Sequence, residues 1–243
     1  MSASSFSSFP PARKIIVAID GPAGAGKSTI ARHVARHFGL LNLETGAMYR
    51  AFALKALRAD IPFQDRQRLE ALAAETVIRL EPGEEDNRVL LDGEDVTGLI
   101  RNQTVTDAAS QVSVWPAIRA WLVRLQQRMG AEGGVVMEGR DIGTVVFPKA
   151  ELKIFLDASP EVRAERRWKE HQEKGDHLTV FQVLEEVRQR DQRDRERKVS
   201  PLVRAADAVI VDNTAMDVEE TARLIVMLAR ERDKDFVAAR RNA

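Results

Sequence analysis

From residue 14 the chain opens on a β-branched apolar run, IIVAI, that stops at Asp20 and Gly21. A run apolar on both faces and closed by charge is the pattern of a buried parallel strand, so a strand is predicted over 14–19. Residues 27–38 follow another period: Ile30, Val34 and Phe38 fall on one helical face and Arg32, His33, Arg36 and His37 on the other. His33 and His37 have the spacing of a metal pair, but no glutamate or third ligand accompanies them, and that face reads as solvated. Three later short runs, at 135–137, 152–156 and 208–211, are again apolar, end at charge and lead towards helical stretches. Such alternation predicts a parallel sheet with right-handed crossovers and a ligand site at the carboxyl ends of its strands. The residues at those ends are Asp20, Glu138, Arg140, Asp141 and Asp157.

Two segments break the alternation. Residues 77–101 carry two β-like runs separated by turn residues, with no long helical pattern, which predicts a small antiparallel insertion. Residues 159–197 are densely charged and helical. Ser159 and Pro160 open one helix there, Thr179 and Gln182 form a capping box for a second, and Gly175 marks the break between them. The last ten residues, from Lys234, read as frayed.

Composition narrows the function classes. At 243 residues, 44% hydrophobic and 30% charged, the chain has the apolar content for one α/β core with insertions, and global disorder is excluded. Lys plus Arg and Asp plus Glu number 37 each, so no net field collects nucleic acid or a membrane surface, and anion binding must come from local clusters. There is no cysteine, which removes disulfides and thiolate chemistry. With no basic-apolar leader in residues 1–13 and no apolar run of about 20 residues, a cytoplasmic protein is expected, its residues 1–13 a flexible tail. No interface pattern stands out, which leaves a monomer as the expectation.

The segment GPAGAGKS at 21–28 satisfies the phosphate-loop pattern GxxxxGK[ST] and lies between a predicted strand and a predicted helix, the context the motif requires. With glycine near ~7% of residues, chance would produce the four fixed positions in roughly one chain in a hundred of this length. Here backbone N–H groups of Gly21, Pro22, Ala23, Gly24, Ala25 and Gly26 (proline excepted), with Lys27, Ser28 and Thr29 opening the helix, form a nest for the phosphates of ATP. Lys27 can reach the β and γ oxygens, and the Ser28 hydroxyl can ligate Mg²⁺. Motors, switches and kinases share such loops. No guanine-reading NKxD follows a later strand, whereas an anion-rich acceptor pocket and an arginine-rich flap are both present, which favours a small-molecule kinase. Thr45, Tyr49 and Arg50 place a hydroxyl, a ring and a guanidinium together. Arg140 and Asp141 stand at a strand end beside the loop. Arg190, Asp194 and Arg197, spaced 4 and 3 apart, line one face if the helix continues, with Arg193 nearby and Arg163, Arg166 and Arg167 on the preceding helix.

From about residue 15 to residue 230 the chain resembles the bacterial cytidylate kinases of the nucleoside monophosphate kinase group. The resemblance is carried by IDGPAGAGKST, ETGAMYR, AASQVS, MEGRDIGTVVFPKAELKIFLDAS, QRDQRDRER and PLVRAADAVIVD. It implies an α/β phosphate-loop kinase fold: a five-stranded parallel sheet flanked by helices, with an antiparallel CMP-binding insertion at about 70–120 and a helical lid at about 160–195, in a single domain over 14–243. It also implies transfer of the γ-phosphoryl group of ATP, with Mg²⁺, to CMP or dCMP. The family's cytosine readers correspond to Ser110, Arg119 and Asp141, its monophosphate-holding arginines to Arg50, Arg140 and Arg197, and its sugar contacts to Arg190 and Asp194, with Thr45 and Tyr49 in the same pocket. Lys27, Arg140, Arg190 and Arg197 would carry catalysis. Thr45 stands where relatives often have serine, and Glu138 where they often have aspartate. A related kinase acting on UMP, AMP or shikimate is the alternative.

Overall fold

The computed structural model describes residues 14–81, 83, 87–173 and 175–241; the tail predicted at 1–13 lies outside them. In chain order the elements are β1 (Lys14–Asp20), α1 (Lys27–Phe38), β2 (Leu41–Glu44), α2 (Thr45–Arg58), α3 (Arg66–Ala74), β3 (Ile78–Glu81), β4 (Arg88–Leu91), β5 (Glu94–Asp95), α4 (Gln103–Val112), α5 (Pro116–Met129), β6 (Gly133–Gly139), β7 (Leu152–Asp157), α6 (Pro160–Glu173), α7 (Val180–Glu196), β8 (Val209–Asp212) and α8 (Val218–Arg241). A 3₁₀ turn occupies Leu99–Arg101 and a π-helical turn Ile142–Val146.

Five strands form a parallel sheet in the order β2-β6-β1-β7-β8. β1 is central because Ile15 to Ile19 are all at most 2% exposed, so both faces must be covered, as in any sheet layered between helices. On one face Ile15, Val17 and Ile19 pack with Ile30 and Val34 of α1 and Ile225 and Ala229 of α8. On the other, Ile16 and Ala18 pack with Leu43, Met137, Ile142 and Val146. This is the doubly covered sheet that the apolar runs predict.

The predicted antiparallel insertion is a three-stranded sheet, β3-β4-β5, in which Ile78 faces Leu91. Its third strand is two residues long, too short to leave a period in the sequence, which is why only two β-like runs are legible. Ile78, Val89 and Leu91 point into a second core with Phe52, Leu69, Ile100 and Leu122, built on the packing of α2 against α4. Phe52 meets Trp121 at 5.3 Å between ring centroids, and the Trp115 indole N–H donates to the Phe63 carbonyl at 2.8 Å.

α6 and α7 form a charged hairpin around Gly175 with a small core of its own: Ala164, Val183 and Val187, sealed by Trp168, whose indole N–H donates to the Leu178 carbonyl at 2.9 Å. The capping box forms, Gln182 N–H donating to Thr179 Oγ1 and Thr179 N–H to Gln182 Oε1. Helix α8 continues to Arg241, through the stretch predicted to fray, since residues 234–241 contain no glycine or proline to stop it. His33 and His37 are exposed, and no group of His, Asp and Glu placed to hold a metal ion occurs among the described residues. No helix of the described residues is long and apolar enough to cross a membrane.

Candidate active site at the strand ends

The loop at 21–26 leaves β1 and delivers Lys27 and Ser28 to the first turn of α1, with Thr29 half-buried beside them. Gly21 sits at φ +152°, and a Cβ there would lie 1.9 Å from the Leu156 carbonyl oxygen, so no side chain fits where the loop crosses β7. Lys27 is 5% exposed and folds its ammonium back onto the Pro22 carbonyl at 2.7 Å. Burial, reinforced by Arg140, pushes it down to about 7. The Ser28 hydroxyl donates to Glu138 Oε1 at 3.1 Å, at the end of β6. Glu138 is held above the usual carboxylate range by burial, which outweighs the opposing pull of Lys27.

The residues predicted for the acceptor side come together across the neighbouring strand ends. Thr45, the first residue of α2, donates its hydroxyl to the Glu138 carbonyl at 2.8 Å. One turn on, Tyr49 faces the Arg119 guanidinium at 5.6 Å, while Arg50 pairs with Glu44. Burial raises the Tyr49 hydroxyl to about 12 although Arg119 opposes the shift. Arg119, from α5, is 2% exposed and ion-paired with Asp141, and its Nη1 donates to the Ser113 carbonyl at 3.3 Å. Ser110 lies one turn before Ser113 on α4; its carbonyl accepts from the Ser113 hydroxyl at 2.8 Å.

Asp194 of α7 joins the two halves. It accepts from Arg140 Nε at 2.8 Å and lies 3.5 Å from Arg197 Nη1. Burial alone would raise Asp194, but Arg140, Arg190 and Arg197 hold it below its ordinary value. Arg190, half-buried, is lowered to about 10 by burial and by Arg140. α7 ends at Glu196, so Arg197 caps the helix in extended backbone and donates to the Ser200 carbonyl. Arg193 does not join the face: it is exposed and turns back to the Gln189 carbonyl.

Three buried guanidinium nitrogens of this cleft, Arg50 Nε, Arg119 Nε and Arg197 Nη2, have no hydrogen-bond partner among the described residues. Each buried donor left so costs about 1–3 kcal/mol, and an anionic or amide-like ligand offers the acceptors they lack. The cleft therefore presents the glycine-rich loop with Lys27 on one side and, on the other, a cationic wall with a buried Arg–Asp pair.

Sequence reasoning did not assign the contacts that Asp20, Arg163, Arg166, Asp191 and Asn213 make. Asp20 accepts from the amides of Ile142 and Gly143, each at 2.7 Å, and so ties the end of β1 to the π-helical turn that follows Asp141. Arg163 does not face the cleft as a lid arginine but is buried against Asp191, and Arg166 holds Asn213. Asp20 and Asn213 both directly follow or close a strand, so the carboxyl-end rule was the available signal; Asp191 carries none beyond its place in an Arg-rich run.

The chain matches the model of the family described as cytidylate kinase over residues 17–231. It is 53% identical over 211 residues to a cytidylate kinase of Pelotomaculum thermopropionicum, covering 86% of this chain and 93% of that one. It is 48% identical to a cytidylate kinase of Listeria innocua, covering 90% and 98%, and 48% identical to one of Enterococcus faecalis, covering 90% and 97%.

Proposed function

The chain belongs to the cytidylate kinase family and is an ATP-dependent CMP kinase; we propose that it passes the γ-phosphoryl group directly and in line to CMP or dCMP, using the cleft residues described above. The observation that carries the acceptor reading is the buried Arg119–Asp141 pair beside the phosphate nest. A guanidinium and a carboxylate set side by side offer donors and an acceptor to the carbonyl and amino edge of cytosine, with Ser110 on the adjoining helix and Tyr49 against the arginine.

No side chain acts as nucleophile; the work is positioning and charge neutralisation. Lys27 and the amides of residues 21–26 hold the phosphates of ATP. Arg50, Arg140 and Arg197 hold the acceptor phosphate, and Arg140, Arg190 and Arg197 meet the charge that spreads over the transferring group. Asp194 keeps these arginines apart and in place and faces the sugar. The Ser28 hydroxyl and Glu138 carboxylate are adjacent hard oxygen donors, a set that fits Mg²⁺. When bound there the ion neutralises phosphate charge. The α6–α7 hairpin, with Arg190 and Asp194 on α7, excludes water from the transfer.

The deciding experiment is ADP release from Mg·ATP with CMP, dCMP, UMP, AMP, GMP, shikimate or no acceptor. Strong stimulation by CMP and dCMP is expected. Equal or greater stimulation by another acceptor, or turnover indifferent to acceptor, would overturn the reading.

A further inference from the structure

The buried ion pair between α6 and α7 does not touch the cleft, yet it is wired to the phosphate loop. Arg163 is 1% exposed and uses its guanidinium on three segments at once. Nε donates to the Ala158 carbonyl at the end of β7 at 2.9 Å. Nη1 donates to the Ala23 carbonyl at 3.1 Å and to Asp191 Oδ1 at 3.0 Å, and Nη2 to Asp191 Oδ2 at 2.6 Å. The loop is seated tightly on this residue, since a Cβ at Gly24 would lie 3.1 Å from Arg163 Cβ.

A second connection runs parallel to it. Arg166, three residues along α6, donates to the Oδ1 and the carbonyl of Asn213 at 3.1 and 3.0 Å, and Asn213 Nδ2 donates to the Ala25 carbonyl at 3.0 Å. Alternate loop carbonyls, Ala23 and Ala25, are thus fixed from outside the nest. A peptide unit is planar and trans, so its C=O and the next N–H point in opposite directions. Drawing the Ala23 and Ala25 oxygens outward turns the Gly24 and Gly26 amides inward, towards the phosphates.

We propose that Arg163 and Asp191 are positioning residues for phosphoryl transfer: their ion pair fixes the Gly24 amide in the nest and, through α7, sets Arg190 and Asp194 in register with it. Asp191 is adjacent to Arg190 and one turn before Asp194, so the carboxylate that orients Arg163 also anchors the helix bearing two cleft residues. A buried ion pair is weak evidence for stability, because a packed apolar pair can serve as well. An apolar pair could not donate to the Ala23 carbonyl.

This inference rests on the kinase reading, and wild-type ADP release with CMP tests that reading first and separately. Given wild-type activity, Asp191→Asn, Asp191→Glu, Arg163→Lys and the Arg163→Lys/Asp191→Asn double variant are compared for kcat, the KM of each nucleotide and Tm. For Asp191→Asn, kcat is expected to fall about 10- to 100-fold, as small misplacements do. KM for ATP should rise more than KM for CMP, because the loop carbonyl of Ala23 is tied to Arg163 directly whereas Asp194 keeps its own ion pair with Arg140. Asp191→Glu should recover part of the loss, and the double variant should be no slower than the slower single, since both break one coupling. A kcat within twofold of wild type in folded Asp191→Asn, or losses that multiply in the double variant, would overturn the proposal. If Asp191→Asn does not fold, Asn213→Ala removes the donor on Ala25 and leaves the ion pair intact. Raised KM for ATP in that variant supports outside control of the loop amides; unchanged kcat and KM would sink it.

Discussion

At the scale of single residues, the cleft holds charges in states they would not choose in water. Lys27 is the clearest: burial, then Arg140, brings its ammonium from 10.5 to about 7. A lysine whose folded value is depressed binds fewer protons in the native state than in the unfolded chain, so over about pH 7–10 its contribution to stability grows as pH rises. Polyphosphate bound against Lys27, as proposed, would reverse the local field and restore the proton. Binding of Mg·ATP at pH 8 is therefore expected to take up protons, seen as a binding enthalpy that varies with the ionisation enthalpy of the buffer. Lys27→Met should lose that uptake, and Lys27→Ala should lose about 10²-fold or more in kcat. Near-normal kcat in Lys27→Ala at saturating ATP would refute the assigned role.

At the scale of elements, local pattern served well where the signal is local. The runs that end at Asp20, Asp157 and Asp212 are strands, because a buried parallel strand is apolar throughout and stops where charge begins. The capping box at Thr179 and Gln182 likewise needs only three residues of context. What no window could show is pairing across the chain. Asp20 meets Ile142 and Gly143 more than 120 residues away, and Arg163 meets Ala23 across 140. The same limit explains why Arg163 reads as a surface lid arginine in sequence and is a buried connector in the fold. The Asp20 link has a measurable signature. Burial raises its carboxyl from 3.8 to about 6, against the pull of the two amides it accepts from. The native state then holds more protons than the unfolded chain between those values, so this stabilisation is complete at low pH and is lost as pH rises through 6. Urea unfolding at intervals from pH 4 to 7 should show wild type losing ~2 kcal/mol relative to Asp20→Asn. Parallel pH profiles would show that Asp20 is not the titrating group.

At the scale of the whole molecule, the two sides of the cleft stand on different cores. The phosphate loop rests on the parallel sheet with α1 and α8, whereas Tyr49 and Arg119 rise from helices packed on Phe52, Leu122 and the antiparallel sheet. Substrate preference and nucleotide binding can therefore be loosened separately. Phe52→Ala, emptying a fully buried ring site beside Trp121, should cost ~3–5 kcal/mol and raise KM for CMP more than KM for ATP. An equal rise in both constants would argue that the two cores act as one.

The indoles follow the same division. The chain has three tryptophans: Trp115 and Trp121 pack in the acceptor-side core and Trp168 in the α6–α7 hairpin, so none belongs to the parallel sheet. Intrinsic fluorescence of this protein is consequently dark to its central scaffold and bright at its two margins. With Trp115 and Trp121 replaced by phenylalanine, emission would come from the hairpin alone, giving an optical test of the proposed closure of the hairpin that needs no added dye.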